Sequence, residues 1–173
     1  PFNDSARALC SNRGKVVWYI DAMKSILVVY HSQSGSCASL ARAAWSEARR
    51  EEGVNVEVLR AWDAGLTALT RADGVLLIAA ENSGSLSGTM KDFLDRTFYP
   101  AIDSGVVLPY ASIISAGNDG RGALKQMQCI LTGYPMPCAA EPLILRGEVN
   151  EQHLRSAGEL GRAFAAGLVM GIF

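Results

Sequence analysis

Short runs of apolar residues recur along this chain with amphipathic stretches between them, and that alternation leaves few folds open. Lys24 to Tyr30, Val54 to Arg60, Gly74 to Ala80 and Tyr110 to Ser115 each read as a strand. The nearly continuous apolar character of the first, third and fourth suits strands covered on both faces, as in a parallel sheet. Between them, Ala38 to Arg50 repeats Leu40, Ala41, Ala44, Trp45 and Ala48 at helical spacing, and Leu66 to Ala72 suits a short helix or turn. Gly88 to Ile102 places Met90, Phe93, Leu94, Phe98 and Ala101 on one helix face. A further helix carries Leu124, Met127, Ile130 and Leu131, and Pro135 to Arg146 contains a fifth strand whose limits Pro137 and Pro142 blur. The last helix, Glu151 to Met170, is expected to bury Leu154, Ala157, Leu160, Phe164 and Leu168. Strands alternating with helices through right-handed crossovers predict an α/β three-layer sandwich around a five-stranded parallel sheet of order 2-1-3-4-5. Ligands of such sheets bind beyond the carboxyl ends of the strands.

The turn after the first strand, His31-Ser32-Gln33-Ser34-Gly35-Ser36-Cys37, is where an anion would be held. A helix start offers unpaired N–H groups and the positive end of the helix dipole, so a phosphate there needs no lysine or arginine. Three serine hydroxyls add donors, and Gly35 permits close approach or a positive φ. Taken alone, the segment serves equally well as a plain helix cap, with Ser34 or Ser36 in the capping position. Two further polar loops, Glu81 to Ser87 and Ala116 to Gly122, come after the third and fourth strands, which places all three on one rim of the sheet. Asn82, Ser83, Gly84, Asn118, Asp119 and Gly120 would there present amides to the edge of a flat heterocycle.

Other chemistries find no support. No nucleoside-triphosphate loop and no Gly-x-Gly-x-x-Gly stands after the first strand, and no Gly-x-Ser-x-Gly elbow occurs. The first strand ends in Tyr30-His31 without the carboxylate cluster of a phosphoacceptor, and His153 reads as a solvated surface residue. A formal charge of -1 gives no footprint for nucleic acid or an anionic membrane, so small molecules or proteins are the expected partners. Cys10, Cys37, Cys129 and Cys138 form no Cys-x-x-Cys pair, which predicts reduced thiols, no metal site and a cytoplasmic location. Cys37 lies at a helix start, a place that can activate a thiol, but a small residue closing the loop is the stronger expectation.

Residues 1–22 fit poorly with the strand–helix alternation of the remaining chain and are expected to be an N-terminal extension, with the domain spanning 23–173. The apolar run Lys15 to Ile20 has three candidate roles: an added edge strand, surface packing or docking on a partner.

Val28-Val29-Tyr30-His31-Ser32-Gln33-Ser34-Gly35-Ser36 resembles the FMN phosphate loop of flavodoxin-type proteins, Ser/Thr-x-Thr/Ser-Gly-x-Thr, with Cys37 in place of the final threonine. Glu81-Asn82-Ser83-Gly84-Ser85-Leu86-Ser87-Gly88-Thr89-Met90-Lys91-Asp92-Phe93-Leu94-Asp95-Arg96 resembles the second flavin loop and adjoining helix of NADPH-dependent FMN reductases and WrbA-type quinone oxidoreductases. The resemblance runs from Lys24 to Phe173 and implies a flavodoxin-like sandwich binding FMN without covalent attachment. The phosphate would rest on Ser32, Gln33, Ser34, Gly35, Ser36 and Cys37. The ring would lie between Glu81, Asn82, Ser83, Gly84, Ser85 and Leu86 on one side and Ala116, Gly117, Asn118, Asp119 and Gly120 on the other. No catalytic acid or base is implied, because the flavin carries the chemistry.

Carrier flavodoxins usually stack aromatic rings on the flavin and are strongly acidic, whereas here neither ring loop has Trp, Tyr or Phe and the chain is nearly neutral. The implied activity is therefore an NAD(P)H-dependent oxidoreductase reducing a quinone or similar small acceptor. The alternatives are a one-electron carrier and a flavodoxin-fold binding protein without flavin. Trp62 is expected to pack or to meet another subunit rather than stack on flavin. A homodimer or homotetramer is implied, with Val16 to Ile20 and Leu168 to Phe173 available for contacts; packing of both on their own subunit is the equal alternative.

Overall fold

Strands with apolar side chains on both faces can only be stable when both faces are covered, and the arrangement of this chain obeys that requirement. The computed structural model describes residues 6–10, 16–20 and 23–173, with side chains from residue 23 onward. The parallel strands are β3 (Lys24–Tyr30), β4 (Val54–Arg60), β5 (Gly74–Asn82), β7 (Tyr110–Ala116) and β8 (Leu143–Arg146). They lie in the order β4-β3-β5-β7-β8, which is the 2-1-3-4-5 arrangement. A two-residue strand, β6 (Ser85–Leu86), adds antiparallel to the end of β5.

The period of two in the strands sorts the core into two layers. Ile26, Val28, Leu76, Ile78 and Ile113 face α1 (Ser36–Ala48) and α5 (Glu151–Val169), packing with Leu40, Ala44 and Phe164. Leu27, Val29, Leu77 and Ile114 point the other way, against α2 (Leu66–Thr70), α3 (Gly88–Asp103) and α4 (Arg121–Leu131), where Leu69, Phe93, Leu94 and Met127 meet them. The first layer is thin because α1 and α5 pack on small residues. A methyl group built on Gly161 of α5 would stand 2.4 Å from the Ala44 carbonyl oxygen of α1, so only glycine lets the two backbones come this close. Helix α1 is thereby held on the sheet, and its first turn is fixed beside the end of β3.

Three expectations need correction. The fifth strand is confined to Leu143–Arg146, because Pro137 and Pro142 have no N–H to donate; upstream of it only an isolated bridge, Tyr110 to Cys138, extends the pairing. On the last helix Leu154 and Leu160 are only partly buried, as is Trp45 of α1, which carries the Arg49 guanidinium 4.6 Å from its ring centre; of these, burial is expected for the two leucines alone. The run at Val16–Ile20 forms strand β2, which pairs antiparallel with β1 (Ala6–Cys10) in a separate two-stranded sheet rather than edging the main one. The side chains of residues 1–22, Cys10 included, and any docking role of Lys15 to Ile20 lie outside the described residues.

Candidate functional site

The carboxyl ends of β3, β5 and β7 place the three polar loops side by side, and specific hydrogen bonds join them. Asn82 Nδ2 donates to Gln33 Oε1 at 3.4 Å, linking the first loop to the second. The Gly120 amide donates to Glu81 Oε2 at 3.2 Å, linking the second to the third. A fourth loop, after β8, joins them: the Gly147 amide donates to the Ala116 carbonyl at 2.8 Å, and Arg146 Nε donates to the Asp119 carbonyl at 3.0 Å. Together they enclose a cleft of about 630 Å³.

The serine loop meets helix α1 at Gly35, which is the N-cap residue, with φ of 98°. That left-handed conformation suits glycine. Neither Ser34 nor Ser36 caps the helix, and no side chain does. The plain capping expectation therefore fails on geometry: the first-turn amides of α1 are left for another acceptor. Ser32 Oγ accepts from the Gly35 amide at 3.1 Å, which leaves its own proton available to donate, and the Ser34 and Ser36 hydroxyls lie 3.2 Å apart. Ser32, Gln33, Ser34 and Ser36 all line the cleft.

Cys37 sits beneath this turn with 1% of its surface exposed. Burial pushes its thiol up to about 12, against the smaller opposing effect of a hydrogen bond with Ser115. A thiol so far from ionisation is a packing group and not a nucleophile.

The second loop is a tight hairpin. Ser83 and Gly84 have φ of 51° and 75°, the two positive values of a type I′ turn, and they fold β6 back on β5. Glu81 and Asn82 line the cleft from this hairpin, whereas Ser83, Gly84 and Ser85 are exposed at and beyond its tip. Leu86 is buried, its amide donating to Gln126 Oε1 of α4 at 2.8 Å. In the third loop Ala116 and Gly117 line the cleft. Asn118 points to solvent, Asp119 is bound up with Arg121 at 2.9 Å, and Gly120 holds Glu81. Asp119 is accordingly held below the usual carboxylate range, chiefly by the Arg121 amide and side chain.

Four lining residues fall outside the sequence expectation: Ala80, Ser115, Gly147 and Glu148. Ala80 and Ser115 are strand residues that come to the rim only because β5 and β7 run side by side. Gly147 and Glu148 come directly after β8, just beyond the end of the expected fifth strand at Arg146. Among the described residues no aromatic and no cationic side chain lines the cleft, and no cluster of metal-ligating groups occurs. A smaller cavity of about 220 Å³ lies at the opposite, amino ends of β3 and β4, next to the Arg71–Glu57 pair. No helix among the described residues is long and apolar enough to cross a membrane.

Comparison with known proteins locates the fold. No protein-family model matches the chain, and no curated protein sequence does. Among solved structures, a flavodoxin from the domain Archaea superposes with a TM-score of 0.73 at 21% identity, over 83% of this chain and 98% of that one. A flavodoxin, WrbA-like protein from Agrobacterium tumefaciens gives 0.70 at 17% identity, over 84% of this chain and 97% of that one. The Flv1 flavodiiron core from Synechocystis sp. PCC6803 gives 0.75 at 18% identity, over 87% of this chain but 37% of its own. The chain has the flavodoxin-like fold.

Proposed function

We propose that this protein is an FMN-dependent oxidoreductase that takes electrons from NAD(P)H and passes them to a quinone or similar small acceptor. The observation that carries the proposal is the character of the 630 Å³ cleft, which has hydroxyls and an uncapped helix start at one end and, among the described residues, no aromatic side chain along its walls.

The residues present suit FMN. Ser32, Ser34 and Ser36 with the first-turn amides of α1 would hold the phosphate without a cation, as helix dipoles allow. Cys37, buried beneath the turn, contributes shape there and no hydroxyl. Asn82 and the backbone at Ala116 and Gly117 would flank the ring, positioned by the Gln33, Glu81 and Arg146 hydrogen bonds. When bound, FMN supplies the hydride and electron transfer, and the protein supplies position and polarity. Walls without a stacking ring among the described residues leave room for a flat donor and then a flat acceptor against the same flavin ring.

A second reading, a one-electron carrier, is favoured by size: the chain matches flavodoxins across 98% of their length. Adding FMN to the purified protein and then titrating anaerobically with NADPH separates the two. An oxidoreductase should turn yellow and be bleached rapidly by the dinucleotide alone. A yellow protein that NADPH does not bleach would be a carrier, and a protein that never turns yellow would remove both readings.

A further inference from the structure

Trp62 carries the inference. It sits just after β4 with 76% of its surface exposed, which removes the expectation that it packs within its own subunit. Exposing an indole costs hydrophobic burial, and the loop that does so is not loose. Arg96 of α3 donates from one terminal nitrogen to the carbonyl oxygens of Ala61 at 2.5 Å, Ala64 at 2.6 Å and, more weakly, Trp62 at 3.4 Å. Its Nε is held in turn by Asp92 at 3.0 Å. The backbone is clamped while the aromatic ring is displayed.

A groove of about 200 Å³ runs beside that ring, lined by Tyr30, His31, Ser32, Arg60, Trp62 and Thr89. The Arg60 side chain is exposed, and its Nε donates to Tyr30 Oη at 3.4 Å. Its terminal nitrogens have no carboxylate partner within ion-pair distance among the described residues. Asp63, on the same loop, is the acidic group nearest in influence. His31 contributes a neutral wall at pH 7, because burial lowers its pKa from 6.5. Ser32 lines both this groove and the larger cleft, so one extended ligand can reach from one to the other.

A displayed indole beside a guanidinium with no ion-pair partner among the described residues recognises a flat ring attached to an anion. The groove is smaller than the roughly 300–1,000 Å³ of sites that enclose a whole drug-sized ligand, so it suits one end of a larger molecule. We propose that this groove binds the adenosine phosphate end of the nicotinamide dinucleotide, with the purine on Trp62 and a phosphate on Arg60. The assignment rests on the NAD(P)H reading of the neighbouring cleft.

The test uses the full chain supplemented with FMN. Calorimetric titration with 5′-ADP and with adenosine 2′,5′-bisphosphate should show saturable binding of at least one. Arg60→Gln and Trp62→Ala should each weaken it about tenfold or more, Trp62→Phe should recover part of the loss, and Asp63→Asn should tighten it. In the flavin-reduction assay the first two variants should raise the KM for the dinucleotide with kcat little changed, and FMN affinity should stay as in the wild type. The bound adenine nucleotide should also compete with the dinucleotide. Absence of saturable binding, or binding unchanged in Arg60→Gln and Trp62→Ala, overturns the proposal. Binding that depends on both residues yet leaves the dinucleotide KM untouched makes the groove a site for a free adenine nucleotide and overturns the donor assignment. Flavin that neither dinucleotide reduces defeats the oxidoreductase reading itself, whereas reduction with wild-type KM in both variants defeats the groove alone.

Discussion

Gly122 is the residue at which the packing of the cleft can be tested most directly. It is the second residue of α4, and a methyl group on it would lie 2.1 Å from the Gly84 carbonyl oxygen and 3.1 Å from the Gly84 carbonyl carbon. Those atoms are backbone, so no side chain can swing aside. In Gly122→Ala, either the hairpin tip or the start of α4 has to retreat by roughly 1 Å to reach even a tight contact. Overpacking costs about 1–3 kcal/mol. Alanine in place of glycine in a helix returns about 1 kcal/mol, leaving a net loss of about 0–2 kcal/mol. Ligand binding should suffer as well. The displaced hairpin carries Glu81 and Asn82, which line the cleft and anchor the neighbouring loops through Gly120 and Gln33. FMN affinity should drop about tenfold, equivalent to about 1.4 kcal/mol. Gly84→Ala is the control: its methyl group meets nothing within 4 Å, so only the φ of +75° opposes it, at a cost of about 1–2 kcal/mol in folding. Urea denaturation gives the stability and quenching of FMN fluorescence gives the affinity. If Gly122→Ala binds FMN as tightly as the wild type, the contact between α4 and the hairpin does not position the cleft, and the mechanism proposed for that wall is wrong.

Two further outcomes concern titratable groups. Iodoacetamide at pH 8 should alkylate the exposed Cys129 and Cys138 in the native protein but reach Cys37 only after denaturation, since its thiol is buried and its pKa pushed up to about 12; rapid native labelling of Cys37 in a peptide map would contradict this. For His31, burial lowers the folded-state pKa from 6.5, so the unfolded chain takes up the proton first as the solution is acidified. Its contribution to stability is full above about pH 6.5 and declines from there down to the folded-state pKa; His31→Gln should flatten that part of a plot of urea midpoint against pH, and an unchanged slope would assign the effect elsewhere.

The sheet was legible because its strands bury both faces and so announce themselves as apolar runs; β3, β5 and β7 have one reading only. The serine loop was legible for the same local reason, since a strand, a small polar turn and a helix pattern are consecutive in the chain. What local pattern could not show is which residues of those loops face inward. Gly120 and Asp119 are used up in holding Glu81 and Arg121, and Asn118 faces solvent, facts that depend on contacts 39 residues apart in the first case. The Ser83-Gly84 hairpin left a usable trace, because Ser-Gly between an apolar run and Ser85-Leu86 is a turn signal with two positive φ values. Glu148 left none: the strand before it is legible and ends at Arg146 as expected, but that the loop beyond folds onto Ala116 and Asp119 depends on contacts distant in the chain.

The form of the cleft also bears on how such a site can work. The first loop is tied to the second, and the second to the third, by one loop-to-loop hydrogen bond each, at 3.4 Å for Gln33 with Asn82 at the surface and 3.2 Å for Glu81 with the Gly120 amide. Bonds of this kind contribute about 0.5–1.5 kcal/mol each at most, so no one of them fixes the loops. Their common position comes instead from strand register: β3, β5 and β7 are hydrogen-bonded neighbours, and each loop inherits its place from a strand end buried in the core. Under the proposed function, such a rim, with lightly tied walls that hold no aromatic side chain among the described residues, would give a bound ring a fixed phosphate end and accessible faces. That combination suits a site where donor and acceptor occupy one face in succession, because neither has to displace a stacked side chain. A carrier benefits from the opposite, a ring sandwiched between aromatic groups. Placing a tryptophan in the wall, as in Asn82→Trp, should therefore slow reduction by NADPH more than it weakens FMN binding. Equal or faster reduction in that variant would show that open faces are not what the cleft provides.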